Sequence, residues 1–354
     1  MSSHHTSSKT GFMIVMLLLL SVLSAACGSN ERSEPSAAQP SQAAAASESS
    51  ASPESGPSSA ASAPAKTTRT VIDDLNREVE VPLEPKRIVA GEFAPELLTL
   101  GIKPIASGDN GFKVVYTLDQ MEGVERIGDP PNPETIVLLS PDLVVAPTVF
   151  LDIYPDEMEK IAQVAPVYYL SYEQDPVYGI YRKLAELVGQ SAKADSWIEE
   201  FEKEAEQARE TIKSAIGDET VSIVRIEKGR LRVYLNRNFA GYMVRSALKL
   251  PAPEEVDEEL IKTPFGSAVQ ISLESLPEFA GDHLFVIVRE EGDDNEAFRE
   301  IEESGLWKSL DAVKNGKLHF LDTDSYYGSD IVTIRETMKE AADMLAAAPS
   351  SNGE

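Results

Sequence analysis

The chain has 354 residues and is strongly acidic, with 32 Lys and Arg against 59 Asp and Glu and a formal net charge of −27. This balance argues against nucleic acid as a partner, because phosphate binding needs a basic surface. Solubility alone is a sufficient reason for the acidity. The single cysteine, Cys27, excludes an internal disulfide.

Residues 1–26 have the pattern of a secretory signal peptide. Lys9 supplies a positive charge, an apolar run follows at 12–23, and small residues precede Cys27. The run is shorter than the about 20 apolar residues that a membrane-spanning helix needs. Small residues followed by Cys-Gly resemble a bacterial lipobox, in which the thiol is acylated, although Ser24 stands where Leu is usual. An ordinary signal peptide with an incidental cysteine is the alternative.

Residues 27–68 are mostly Ser, Ala, Pro, Glu and Gln. Such a segment cannot bury enough apolar surface to offset its ordering entropy, so it is predicted to be a disordered tether. Roughly 280 residues remain, which is more than one ordinary core usually takes and predicts two lobes. Residues 347–354 are predicted to form a disordered tail.

Short apolar segments alternate with helical stretches in both halves of the remaining chain. They are 87–91, 104–107, 143–146, 167–170, 221–226, 231–235, 284–288 and 317–321. This alternation predicts an α/β fold with mainly parallel sheets and helices on both faces. We also predict a hairpin at 71–81 with its turn at 74–76, and helices at 241–250 and 331–346.

The longest predicted helix runs from Lys193 to Ile216. Its apolar residues recur at steps of three and four and form one continuous stripe, and Gly217 ends it. At about 1.5 Å per residue the helix is about 36 Å long. We predict that 193–217 is a rigid helix joining an N-terminal lobe (69–192) to a C-terminal lobe (218–346). An ordinary surface helix within one lobe is the alternative.

A short motif occurs once in each predicted lobe. Glu134 precedes Asp142 at the same spacing as Glu274 precedes Asp282, and each aspartate is followed by a predicted buried strand. A glutamate near a helix start also interacts well with the helix dipole, without any partner. The repetition nevertheless predicts a pair of exposed functional carboxylates, one at each end of the molecule.

A predicted hairpin concentrates arginine side chains. With its turn at residues 228–229, three cross-strand pairs share one face: Glu227 with Arg230, Arg225 with Arg232, and Ile223 with Tyr234. Arg225 opposite Arg232 is repulsive, and an anionic cargo would relieve that repulsion through bidentate guanidinium bonds. Two solvated arginines splayed apart are the alternative.

Further candidates follow the predicted strands, since ligands of open parallel sheets lie beyond the carboxyl ends of the strands. They are Glu92, Phe93, Lys113, Tyr116, Tyr326 and Tyr327, with Tyr234 on the arginine hairpin. Each single aromatic residue is equally compatible with a place in the core or at the rim of a cleft.

Features of catalysis are missing from the sequence. It contains no Gly-rich phosphate loop and no nucleophile elbow. His283 and His319 are predicted to be isolated and structural, too few for a bare zinc or manganese site. We therefore expect no enzymatic activity, no intrinsic cofactor and no directly bound metal.

Taken together, the chain resembles the iron–siderophore substrate-binding lipoproteins of ABC importers. The resemblance rests on 87–90 (RIVA), 96–104 (ELLTLGIKP), 133–145 (PETIVLLSPDLVV), 160–166 (KIAQVAP), 221–225 (VSIVR), 232–234 (RVY), 271–276 (ISLESL) and 306–317 (LWKSLDAVKNGK). It implies two Rossmann-like lobes joined by one rigid helix. One departure is Lys249, between Leu248 and Leu250, where the family usually has Gly.

The resemblance also implies roles for particular residues. Glu134 and Glu274 would dock onto the permease, Arg225 and Arg232 would grip the ferric chelate, and an aromatic contact would come from position 326 or 327. The expected cargo is a ferric siderophore, of an anionic citrate or carboxylate type or of a hydroxamate type.

The expected protein is a monomer, lipid-anchored at the extracytoplasmic face of the bacterial cytoplasmic membrane, that delivers its cargo to ABC permease subunits. Haem or cobalamin binding on the same fold is one alternative function. A secreted hydrolase or an adhesin is an alternative of another class.

Overall fold

The structure, a computed structural model, describes residues 67–289 and 292–347. The predicted signal peptide 1–26, Cys27 and most of the predicted tether lie outside the described residues, as does 348–354. Thr68, which we assigned to the tether, is instead the first residue of a strand. Within the described ranges, no helix combines the length and the apolarity needed to cross a membrane.

The strands of the described residues form a two-stranded hairpin and two five-stranded sheets. Their bounds are β1 Thr68–Ile72, β2 Glu78–Pro82, β3 Ile88–Val89, β4 Ala106–Ser107, β5 Glu125–Arg126, β6 Leu143–Pro147, β7 Val167–Leu170, β8 Val221–Glu227, β9 Arg230–Tyr234, β10 Ala268–Ile271, β11 His283–Val288 and β12 Leu318–Phe320.

The helices lie between and beside these strands. Their bounds are α1 Ala94–Thr99, α2 Pro133–Leu139, α3 Phe150–Ile153, α4 Pro155–Ala162, α5 Tyr181–Leu187, α6 Ser191–Ile216, α7 Glu254–Lys262, α8 Leu276–Phe279, α9 Asp294–Glu303, α10 Gly305–Ser309, α11 Asp311–Lys314 and α12 Ile331–Ala346. Two 3₁₀ segments, Asp109–Phe112 and Val115–Met121, and two π-helical segments, Pro176–Ile180 and Met243–Ala247, complete them.

The two large sheets have the same strand order. The N-terminal sheet reads β5-β4-β3-β6-β7 and is parallel throughout, whereas the C-terminal sheet reads β10-β9-β8-β11-β12. In the second sheet β9 is antiparallel to both neighbours, because a tight hairpin joins it to β8. The predicted α/β class with mainly parallel sheets is confirmed.

Helix α6 connects the strands of the first sheet to those of the second. It begins two residues before the predicted start and buries the predicted stripe, which includes Ala194, Phe201 and Ile212. The same apolar cluster contains Leu97 and Leu184 from the first half and Ile223 and Phe285 from the second. One continuous core therefore crosses from one sheet to the other beside α6.

The aspartates of the repeated motif have equivalent structural roles. The Asp142 carboxylate accepts hydrogen bonds from the backbone N–H groups of Lys86 (2.8 Å) and Arg87 (2.9 Å), just before β3. The Asp282 carboxylate accepts from the backbone N–H (2.7 Å) and hydroxyl (2.8 Å) of Thr220, just before β8. Each aspartate thus fixes the chain as it enters the central strand of its sheet.

The predicted helix at 241–250 ends early. Its last regular part is the π-helical segment Met243–Ala247, and Lys249 adopts the left-handed conformation with φ 54°. The backbone N–H of Leu248 donates to the Met243 carbonyl (2.9 Å), and that of Leu250 donates to the Val244 carbonyl (3.0 Å). Lys249 therefore keeps the backbone turn that glycine commonly supplies at a helix end.

Candidate ligand site between the two sheets

A cavity of about 260 Å³ opens between loops of the two halves. The N-terminal half contributes loops that follow β3, β4, β6 and β7, with the lining residues Glu92, Phe93, Glu96, Asn110, Val149 and Tyr172. The C-terminal half contributes the segments after β9 and β12, with Arg237, Asn238, Tyr242, Tyr327 and Asp330. The site thus lies where the carboxyl ends of the parallel strands of the first sheet face the second half.

Direct contacts join the two halves at the edge of the cavity. The Tyr327 hydroxyl donates to Asn110 Oδ1 (2.9 Å), and Lys113 Nζ donates to the same oxygen (2.8 Å). Lys113 Nζ also lies 5.2 Å from the centre of the Tyr327 ring. Of the predicted cleft residues, Tyr327 lines the cavity and Lys113 is beside it at the exposed rim.

One wall of the cavity is aromatic. The Phe93 ring lines it, as predicted, with its centroid 5.8 Å from that of Tyr172. The Tyr242 hydroxyl lies 3.3 Å from the Tyr172 carbonyl and 3.2 Å from the Gln174 carbonyl, and it donates to them from the other half of the molecule. Apolar faces with a few placed polar groups are typical of small-molecule sites.

Acidic groups outnumber basic ones among the described lining residues. Burial raises the pKa of Glu92 to about 7, and burial together with repulsion from Asp330 raises that of Glu96 to about 8. Burial also raises the pKa of Asp330, although this carboxylate accepts hydrogen bonds at the start of α12. Arg237 supplies the guanidinium, 5.6 Å from the Tyr172 ring centre.

The arginine hairpin has the predicted register, with Arg225 opposite Arg232 and the turn at residues 228–229. The expectation that its guanidinium groups lack a counter-ion is wrong. Oε2 of Glu227 lies 3.3 Å from Arg225 and 3.2 Å from Arg232, so one carboxylate is shared by both. This shared carboxylate offsets part of the repulsion that we expected between the two arginines of an empty hairpin.

Neither hairpin arginine is among the residues that line the cavity. Arg225 is only 5% exposed, donates to the Tyr234 hydroxyl (3.2 Å) and stacks on the Phe239 ring at 3.7 Å. Phe239 in turn contacts the Tyr327 ring, with centroids 5.4 Å apart. Arg225 and the buried Tyr234 thus pack on Phe239, which supports the Tyr327 ring at the cavity, and their direct contact with a ligand stays a prediction.

Tyr326 lies in the core instead of the cavity. Its side chain is 1% exposed, and its hydroxyl donates to Glu340 Oε2 (3.0 Å) on α12. Tyr116, another predicted cleft residue, is half-buried and also outside the cavity lining, where it hydrogen-bonds to Ser325. Sequence could not separate Tyr326 from Tyr327, because the chain turns after β12 and sends the two rings in different directions.

Comparison with known proteins decides the family. The family model described as periplasmic binding protein matches residues 97–325. The chain belongs to this family. It is a family of substrate-binding transport proteins and not of enzymes.

Relatives extend the match over most of the chain. The iron(3+)-hydroxamate-binding protein YxeB of Bacillus subtilis is 30% identical over 80% of this chain and 87% of its own length. The iron(3+)-hydroxamate-binding protein FhuD of the same organism is 31% identical over 76% and 84%. The solved FhuD protein of S. pseudintermedius superimposes with a TM-score of 0.70 over 80% of this chain and all of that chain, at 20% identity. The predicted fold is confirmed.

Sequence reasoning missed several lining residues of this periplasmic binding protein. Tyr172 follows β7, so the strand-end rule that selected Phe93 could have found it. Arg237 follows the antiparallel β9, to which that rule does not apply. Next to it, Asn238, Phe239 and Ala240 all have positive φ (60°, 39° and 70°). Consecutive left-handed residues other than glycine are costly and cluster at ligand sites.

The two histidines are not isolated, contrary to the prediction. The adjacent parallel strands β11 and β12 bring His283 Nδ1 within 3.1 Å of His319 Nε2. His283 Nε2 lies 2.7 Å from Glu219 Oε2, which Lys317 Nζ also contacts at 2.7 Å. In the part of the chain that the structure describes, no group of three or more His, Cys, Asp or Glu is arranged to hold a metal ion.

Proposed function

We propose that this protein captures a ferric hydroxamate siderophore between its two halves and delivers it to the permease of an ABC importer. The observation that carries the proposal is the cavity lined by loops of both halves, with an aromatic wall of Phe93 and Tyr172 and a cross-half bond from Tyr327. The names of the two relatives at 30% and 31% identity support the hydroxamate class.

The charge of the cavity disfavours the anionic citrate-type cargo that the arginine hairpin suggested. Glu92, Glu96 and Asp330 face the space, against one lining guanidinium, Arg237, in the described residues. An anionic chelate gains no counter-charge from these acidic groups, and any of them that is ionised repels it in a medium of low dielectric constant. A neutral or cationic ferric hydroxamate meets no such penalty.

Calorimetric titration with a panel of ferric hydroxamates, ferric citrate, haemin and cobalamin tests this proposal. We expect saturable binding of a ferric hydroxamate and weak or no binding of the others. Arg237→Ala should weaken hydroxamate binding about tenfold, because a lost hydrogen bond from a charged donor costs about 1.4 kcal/mol or more. Arg230→Ala, at the exposed end of the hairpin, is the matched control. Tight binding of haemin or citrate without hydroxamate binding would contradict the proposal.

We propose that docking onto the permease uses Glu134 and Glu274. Glu134 is exposed in the first turn of α2, and Glu274 is exposed at the corresponding place of the other half, just before α8. Charge reversal of both (Glu134→Lys with Glu274→Lys) should leave siderophore affinity unchanged and abolish uptake into proteoliposomes that hold the permease. Glu210→Lys, an exposed change on α6, serves as the control. Normal uptake by the double variant would remove these residues from the docking surface.

The remaining proposal concerns location. We propose that acylation of Cys27 anchors the protein at the extracytoplasmic face of the membrane, where it acts as a monomer. The order of apolar run, small residues and Cys27-Gly28 supports this placement.

A further inference from the structure

Glu96 lines the cavity, and one of its carboxylate oxygens is buried without a hydrogen-bond partner. The residue lies in the first turn of α1 and is 3% exposed, yet it lines the space between the two halves. The backbone N–H groups of Glu96 itself and of Ile331 oppose the rise in the pKa of this carboxyl group, while Oε2 has no hydrogen-bond partner. A buried polar atom without a partner costs free energy, so a donor supplied by a ligand would be stabilised there.

The groups around Glu96 do not supply that donor. Asp330 already accepts from the backbone N–H groups of Val332 and Thr333 (3.0 and 2.9 Å) and is itself acidic. Burial raises the pKa of Tyr172 and of Tyr181, and the nearby Glu96 adds to both shifts.

Two further charged side chains line the same space, and they have different partners. Glu92 is partly satisfied by a hydrogen bond from Asn110. The guanidinium of Arg237 lies by the Tyr172 ring.

The size of the cavity limits what can enter it. Its volume of about 260 Å³ is below the roughly 300–1,000 Å³ of sites that enclose a drug-sized ligand. We therefore place a ferric trihydroxamate core at the open mouth of the cavity, beside Tyr327 and Lys113. The space inside suits one flexible arm of the cargo.

We propose that this cavity binds a cationic arm of the siderophore, a primary ammonium group, with Glu96 and Glu92 as its counter-ions. The inference rests on the proposed function and narrows the cargo to ferric trihydroxamates that carry a free amine. An ammonium group offers three hydrogen-bond donors and no acceptor, which suits a space lined by carboxylates, one of which has an oxygen without a partner. Both carboxylates are displaced toward the protonated form when the cavity is empty, so ammonium binding releases protons to solvent.

Paired ligands test the inference by calorimetry: ferrioxamine B, a linear ferric trihydroxamate with one primary ammonium, and its N-acetylated form. At about pH 8 the wild-type protein should bind the ammonium form about tenfold more tightly. Titrations in buffers of different ionisation enthalpy should show proton release for that form alone. Glu96→Gln, which keeps the shape of the side chain, should remove most of the preference for the ammonium form and most of the proton release.

The outcomes separate the two proposals. Equal affinities of the wild-type protein for both forms would overturn the ammonium site and leave the proposed function intact. Failure of both forms to bind would overturn the proposed function itself. The exposed Glu122→Gln serves as the matched control, and a preference that persists in Glu96→Gln and in Glu92→Gln would also contradict the inference.

Discussion

His283 and His319 form a partly buried pair held in the neutral form. Burial, with a smaller contribution from the neighbouring His283, lowers the pKa of His319 to about 4. Burial also lowers the pKa of His283, although the Glu219 carboxylate opposes that effect. An unfolded histidine titrates near about 6.5, so the unfolded chain binds protons first as the pH falls.

This pair should make the fold less stable in acid. Its contribution is fully present above about pH 6.5 and is lost progressively toward about pH 4. We expect His319→Gln to reduce the loss of unfolding free energy between about pH 7 and pH 5 by about 1 kcal/mol. Urea unfolding at both pH values measures the difference. The raised pKa values of Glu92 and Glu96 change the stability with pH in the opposite direction, but both residues are present in the wild-type protein and in the His319→Gln variant. Parallel pH profiles would refute the role of the pair.

At the residue level, sequence predicted backbone register better than side-chain partners. The turn at 228–229 fixes Arg225 opposite Arg232, and local turn chemistry suffices to predict that. Whether Glu227 pairs with Arg230 or with Arg225 and Arg232 depends on the surrounding packing. The unpartnered carboxylate oxygen of Glu96 could not be predicted from sequence either, because a glutamate in a first helical turn already has a local explanation in the helix dipole.

Among the secondary-structure elements, the segment after Met243–Ala247 carries an avoidable strain. Lys249 has φ 54° with an exposed side chain, so its lysine contributes little packing. Left-handed backbone costs roughly 1–2 kcal/mol in residues with a Cβ, and glycine pays an entropy cost of roughly 0.5–1 kcal/mol. The difference favours glycine at this position.

Lys249→Gly should therefore raise the free energy of unfolding by about 0.5–1 kcal/mol. Thermal or urea unfolding measures the change, and Lys249→Ala separates the backbone effect from loss of the side chain. Destabilisation by the glycine variant would show that the lysine side chain packs or pairs favourably. Equal gains in both variants would show that the gain comes from removing the lysine side chain and not from relief of backbone strain.

Elements with a strong apolar pattern were predictable, and short edges were not. Strands β6, β8 and β11 and helices α6 and α12 lie close to their predicted bounds because their buried faces are continuous. The edge strands β5 and β10 were missed. Glu125–Arg126 is exposed and has only two residues, so it carries no apolar signal. Ala268–Ile271 contains three apolar residues but is only partly buried, and this short stretch does not stand out from the sequence around it.

For the molecule as a whole, the continuous core argues against a large change of shape. Apolar residues of both halves pack with α6 and α12 in one cluster, from Leu97 and Leu184 to Ile223 and Phe285. Swinging the halves apart would expose part of this surface to water, at roughly 25 cal/mol per Å². Cargo capture should thus proceed with small adjustments of loops.

Small-angle X-ray scattering of the ligand-free and siderophore-loaded protein tests this rigidity. We expect the same radius of gyration and maximum dimension within error. Ferric citrate, if it does not bind, serves as the control for added solute. A clear compaction on loading would show that the halves move despite the shared core.

The difference in strand direction between the two five-stranded sheets also affects how the set of siderophores that the protein binds can change. Among the residues that the structure describes, four separate connections of the parallel sheet reach the ligand space, after β3, β4, β6 and β7, whereas the segments after β9 and β12 reach it from the other side. An insertion or substitution in one of these four connections can therefore arise without changing the other three. We expect natural or laboratory diversification of selectivity to accumulate in the amino-terminal half, with the carboxy-terminal half retained as the invariant counterpart.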